Sequence, residues 1–171
     1  MRIINLYWDL DGVCAKWNEN STTEERHESG YFACREYQWN VISAMYDLAI
    51  KNPHYHTFIL SHYYPKGPAL KDKNTWCDYL QVLYGYPIER IFVPYGESKY
   101  LYIDRDSNAV NILIDDYTKN LCEWENAGYS GIKFLNGINH THRTWKGAVI
   151  KHTDSAEEIV EKVKEYIASI I

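Results

Sequence analysis

No two of the four cysteines, Cys14, Cys34, Cys77 and Cys122, stand close enough to form a CxxC pair. That speaks against a disulfide framework and for free thiols in a reducing compartment. The N-terminus has no charged-then-apolar leader, and no apolar run approaches membrane-spanning length. A cytoplasmic location with no membrane partner is therefore expected. A basic excess is missing too: 18 Lys and Arg against 23 Asp and Glu give a net charge of −5, which argues against general nucleic-acid binding. Internal repeats and low-complexity tracts are also absent. What remains is an ordinary globular composition, 46% hydrophobic and 24% charged, with an unusually large share of aromatics that includes 16 Tyr and 6 Trp. A chain of 171 residues is long enough to bury a real core, as one domain with at most a small insertion.

The most informative stretch comes first. Ile3-Ile4-Asn5-Leu6-Tyr7-Trp8 reads as a buried strand that stops at Asp9, with a second carboxylate at Asp11 and a glycine at Gly12. Residues two apart on an extended chain share a face, and glycine lets the backbone turn sharply or approach a ligand. Taken alone, Asp9-Leu10-Asp11-Gly12 is equally a strand followed by an Asp-Gly turn. Three later apolar runs shift the balance, because each leads to a reactive group: Phe58-Ile59-Leu60 to Ser61, Ile91-Phe92-Val93 to Lys99, and Ile112-Leu113-Ile114 to Asp115-Asp116. In an open parallel sheet ligands bind beyond the carboxyl ends of the strands, so these termini are expected to converge on one crevice. Grouped carboxylates there make a hard, oxygen-rich site suited to Mg²⁺.

The order DxDG, apolar run to Ser, Lys, apolar run to Asp-Asp resembles the four-motif pattern of the haloacid dehalogenase superfamily. Within it, Asp9-Leu10-Asp11-Gly12-Val13-Cys14-Ala15-Lys16-Trp17 is similar to the opening of the 5'(3')-deoxyribonucleotidases. Leu113-Ile114-Asp115-Asp116-Tyr117-Thr118-Lys119-Asn120-Leu121, with Trp124-Glu125-Asn126-Ala127-Gly128, is similar to their closing motif. The likeness is loose between the two, most of all over residues 18–55. It implies a Rossmann-like three-layer α/β sandwich: a parallel sheet of about five strands, a phosphatase core over residues 1–13 and 56–171, and a small helical cap over 14–55. It also implies a Mg²⁺-dependent phosphatase for nucleoside monophosphates that works through an aspartyl-phosphate. Asp9 would be the nucleophile and Asp11 the general acid and base, meeting the metal through its backbone carbonyl. Ser61, with His62 beside it, and Lys99 would hold the phosphate, and Asp9, Asp115 and Asp116 the metal. Lys73 competes with Lys99 for the ammonium role, Lys99 being preferred because it follows the third strand.

Trp17, Tyr31, Phe32, Tyr37 and Trp39 are the aromatics the cap could offer the substrate, with Trp17 and Tyr37 singled out. Tyr37 to Ile50 carries Val41, Ile42, Met45, Leu48 and Ala49 at helical spacing and should stop at Asn52-Pro53. A helix over about Ala69 to Leu83 should bury Trp76, Leu80 and Leu83 before Gly85, and Thr118 is a natural N-cap for the helix after Asp116. Residues 155–170 read as a closing amphipathic helix. His140, His142 and Arg143 fall in a loop read as surface, in which Arg143 could pair with a second phosphate or a carboxylate. A phosphatase for another small phosphoester or a nucleic-acid end, and a phosphate-binding module without turnover, remain alternatives. A homodimer is compatible with the sequence.

Overall fold

The computed structural model describes residues 2–105, 108–139 and 145–171. Its centre is a parallel sheet of six strands: β1 (Ile3–Trp8), β2 (Tyr55–Tyr63), β3 (Glu89–Pro94), β4 (Ala109–Asp115), β5 (Ser130–Leu135) and β6 (Ala148–Lys151), in the spatial order β3-β2-β1-β4-β5-β6. The order reverses direction between β1 and β4, which pair in parallel from Ile3↔Ala109 to Trp8↔Ile114. Such a switch point opens a crevice at the strands' carboxyl ends.

Alternation along the strands sorts side chains into two cores. Ile4, Leu6 and Trp8 of β1, with Ile112 and Ile114 of β4, face a cluster completed by α1 (Trp39–Lys51), α2 (Ala69–Tyr84) and α4 (Ala156–Ile170). Tyr7 and Leu113, on the other face, pack with Leu121 and Trp124 of α3 (Thr118–Asn126). Three layers result. The sheet has one strand more than expected: β6 is only four residues long, too little alternation to read in sequence.

Residues 14–55, expected as a helical cap, divide into two parts. Residues 16–38 form a strap with a single turn of 3₁₀-helix at Glu25–His27. Its two ends are tied side by side, Lys16 N donating to the Glu36 carbonyl at 2.8 Å and Gln38 N to the Cys14 carbonyl at 2.8 Å. The second part, α1, buries Val41, Ile42, Met45 and Leu48 and lies against β2 and α4, as the crossover between parallel strands requires.

Two finer expectations are corrected. Leu83 is exposed, because α2 buries its earlier turns through Trp76, Cys77 and Leu80, and the last turn runs free to the left-handed Gly85. Thr118 is not the N-cap of α3: Tyr117 holds that position without a side-chain cap, and the Thr118 hydroxyl instead accepts from Lys133 at 2.8 Å.

Candidate active site

β1 and β4 end side by side, and Asp9 N donates to the Ile114 carbonyl at 2.9 Å, so Asp9 and Asp115 leave the sheet as neighbours. After Asp9 the chain turns back on itself, Ala15 N donating to the Leu10 carbonyl at 2.7 Å. The turn passes through Gly12 at φ +83°, where an added Cβ would lie 2.3 Å from Asp116 Oδ2. Glycine is therefore demanded twice, by the left-handed backbone and by the close passage of a carboxylate.

The Lys99 ammonium sits between the two strand ends, donating to Asp9 Oδ1 at 2.8 Å and to Asp115 Oδ2 at 2.7 Å. Asp115 is held further by Tyr117 N at 2.7 Å and Asn120 Nδ2 at 2.9 Å. Asp116 receives Asn136 Nδ2 at 2.7 Å on its carboxylate. Its backbone carbonyl accepts from Asn139 and from the Lys133 ammonium. One oxygen from each of Asp9, Asp115 and Asp116 can be chosen so that all three lie within 4.8 Å of one another. That is a compact, all-oxygen donor set of the sort Mg²⁺ takes.

Charge accounting supports the fit. Burial works against the Lys99 charge, but Asp115 and Asp9 outweigh it and keep the ammonium firmly protonated. Burial also pushes Asp9 up, yet Lys99 and Lys73 prevail and hold its carboxyl below the ordinary range. Asp116 goes the other way: burial, with Asp115 and Asp9 alongside, outweighs Lys133 and Lys99 and raises it well above the usual carboxylate range. Two buried acids and a half-buried third, with one ammonium between the first two, are short of positive charge, and a divalent cation is the group that would supply it.

Asp11, two residues on, lies on the other side of the turn. Burial raises its carboxyl, Lys73 opposes and Asp9 adds to the rise, so Asp11 stands above its ordinary value while Asp9 stands below. Such a divergence fits one carboxylate for an anion's work and its neighbour for a proton's. Lys73, at the start of the second turn of α2, pairs with Asp11 Oδ2 and also donates to Ser61 Oγ at 3.1 Å and to the His62 carbonyl at 2.6 Å. The two lysines that compete in sequence are thus both present, at different carboxylates.

One cleft of about 330 Å³ has Asp9, Asp11, Ser61, His62, Lys73 and Asp116 at its polar end and Trp17, Phe32, Tyr63, Tyr64, Tyr95 and Tyr117 among its walls, while Lys99 and Asp115 are buried outside its lining. His62 lines the cleft but directs Nε2 to the Glu97 carbonyl at 2.8 Å. Trp17 reaches the cleft from the strap, its ring under the Arg26 guanidinium at 4.7 Å. Tyr37 does not line it; its ring packs on Trp39 and Trp76 at centroid distances of 4.8 and 4.6 Å, because the strap's returning end lies against α2. His140, His142 and Arg143 fall outside the described residues. Sequence reasoning missed Asn136, Asn139 and Lys133, which brace Asp116, and Tyr64 and Tyr95 in the walls; Phe32, offered with the other cap aromatics, lines the cleft. Only the position of Lys133 and Asn136, within β5 and just past its end, could have pointed to them.

The fold is shared with a crystal structure of a D,D-heptose 1,7-bisphosphate phosphatase from B. bronchiseptica complexed with magnesium and phosphate. The two superpose with a TM-score of 0.65 over 95% of this chain and 99% of that one, at 9% sequence identity. At that identity the likeness establishes the Rossmann-like α/β architecture and nothing finer. Neither a protein-family model nor a curated protein matches the chain's sequence.

Proposed function

We propose that the protein is a Mg²⁺-dependent phosphatase of small phosphomonoesters, with nucleoside monophosphates as the substrate class. The observation that carries the reading is the Lys99 ammonium between Asp9 and Asp115, with Asp116 next to them, at the carboxyl ends of the two central strands. A bare carboxylate would repel a phosphate dianion; Lys99 removes that repulsion. At about 4 Å and a surface-like dielectric, one such opposite pair is worth roughly 4 kcal/mol before desolvation.

In this reading an Asp9 carboxylate oxygen attacks phosphorus, the bond from phosphorus to the leaving oxygen breaks, and that oxygen takes a proton from the Asp11 carboxyl. Water then attacks the aspartyl-phosphate, gives its proton to Asp11 and releases phosphate and Asp9. Ser61 donates its hydroxyl to a phosphoryl oxygen. Lys99 has two partners among the described residues, which leaves one N–H for another such oxygen. Asp9, Asp115 and Asp116 through their carboxylates and Asp11 through its carbonyl would hold Mg²⁺, which would supply positive charge for the transferring phosphoryl group.

The aromatic walls support a planar leaving group. Trp17 and Phe32 come from the strap and Tyr64 from just past the end of β2, where the His27 ring of the strap meets it at 4.9 Å between centroids. Residues 16–38 are accordingly the segment we assign as the lid, with α1 belonging to the core. Phosphate release from a panel of nucleoside monophosphates and sugar phosphates tests the reading. Turnover with Mg²⁺, fastest on nucleotides and reduced at least about 10³-fold by Asp9→Asn (about 4 kcal/mol of barrier), is expected. Well-folded protein without turnover on any member under Mg²⁺ would reject it.

A further inference from the structure

Two lysine ammonium groups are buried beside Asp9 and Asp11, Lys73 in the lining of the cleft and Lys99 outside it, and counting their donors separates them. A lysine has three N–H donors and no acceptor. Lys99 directs two to carboxylates and, among the described residues, keeps one. Lys73, 1% exposed, uses all three: on Asp11 Oδ2, on Ser61 Oγ at 3.1 Å and on the His62 carbonyl at 2.6 Å. The Phe32 ring covers it, 4.8 Å from ammonium to centroid. The helix turn that carries it is tied down as well, since the buried Asp72 carboxylate accepts from Gly30 N of the strap at 2.8 Å. An ammonium so enclosed cannot reach a phosphoryl oxygen without giving up a partner.

We infer that Lys73 is a positioning residue for proton transfer, one that anchors Asp11 by Oδ2 so that Oδ1 carries the proton to the leaving oxygen. Among the described residues Oδ1 has no hydrogen-bond partner, as a proton-transferring atom requires. The inference rests on the phosphatase reading and adds to it a division of labour: Lys99 serves the phosphate, Lys73 serves the acid. The consequence is chemical. A leaving group that departs as a stable anion needs little help from Asp11, whereas a basic one needs it fully.

The test uses substituted phenyl phosphates from p-nitrophenyl to p-methoxyphenyl, with kcat/KM reporting the step up to the first P–O cleavage. Lys73→Met should lose at least about ten times more on p-methoxyphenyl than on p-nitrophenyl phosphate. Its affinity for inorganic phosphate in Mg²⁺, measured calorimetrically, should stay within about threefold, while Lys99→Met loses at least about tenfold. An equal loss across the series would make Lys73 merely structural, and weakened phosphate binding would make it a phosphate ligand; either overturns the inference. If Lys73→Met does not fold because Asp11 is left buried and unpaired, the double variant with Asp11→Asn removes that charge. Relative to Asp11→Asn alone the double variant should lose under about threefold more on p-nitrophenyl phosphate, and a further loss above about tenfold overturns the inference. Wild-type protein silent on the entire series would reject the phosphatase reading and the Lys73 role with it, whereas failure of the role alone leaves wild-type turnover intact.

Discussion

Gly12 shows how tightly single residues are set in this cleft. With φ at +83° and Asp116 Oδ2 2.3 Å from where a Cβ would stand, Gly12→Ala faces about 1–2 kcal/mol of left-handed strain and must also displace a candidate metal ligand. The variant is expected to fold, with Mg²⁺ affinity by calorimetry at least about tenfold weaker (about 1.4 kcal/mol). Undiminished affinity would mean that Asp116 takes no part in holding the ion. Asp9, Asp11, Gly12, Ser61, Lys99, Asp115 and Asp116 were legible as residues because each lies on or near the end of an apolar run, and the sheet brings such ends together. Lys73 was legible only as a competitor for one role. Its partners lie 62, 12 and 11 positions away, and nothing in a linear pattern distinguishes an ammonium enclosed by three acceptors from one facing a ligand.

Elements differ in how far local chemistry determines them. α4 is specified almost completely by its own sequence: Ser155 accepts from Glu158 N at 3.2 Å while the Glu158 carboxylate accepts from Ser155 N at 2.7 Å, a reciprocal capping box. Ile159, Val163 and Ile167 follow at helical spacing on the buried face. Ser155→Ala should cost about 1 kcal/mol, lowering Tm by about 2–4 °C for a chain of this size, with kcat unchanged. A change in kcat would place α4 in contact with the chemistry. The strap is the opposite case. It has one 3₁₀ turn and no apolar period, and it is held by contacts distant in sequence, such as Gly30 N to Asp72 at 2.8 Å. That is why its course, and the identity of Phe32 rather than Tyr37 as a wall residue, could not be read in advance. Asp72→Ala should loosen it and raise KM for nucleotides more than it lowers kcat; a pure kcat loss would mean that the strap does not hold substrate.

At the scale of the whole molecule, the parallel order β3-β2-β1-β4-β5-β6 and the burial of both sheet faces follow from near-continuous apolar strands alternating with helices. Burial also leaves a pH signature. It raises the Cys77 thiol from its ordinary 9.0 to about 11, and it raises Cys14, Tyr7 and Tyr46 in the same direction. A group whose folded pKa exceeds its unfolded one gives its full stabilisation below the unfolded value and loses it as pH rises to the folded value. For Cys77 that window is pH 9 to 11, so the urea midpoint should hold from pH 7 to 9 and fall above it. A midpoint that stays flat to pH 11 would contradict the burial of these groups. Thiol reagents at neutral pH should label the exposed Cys34 and Cys122 and spare Cys14 and Cys77. The central claim is that this sheet delivers Asp9 as a nucleophile into a Mg²⁺ pocket. Borohydride reduction of protein quenched during turnover, followed by peptide mass spectrometry, tests it most directly. Conversion of Asp9 to homoserine in the presence of substrate and Mg²⁺, and at no other carboxylate, is the predicted result; turnover with Asp9 unmodified, or with the reduced residue elsewhere, would contradict it.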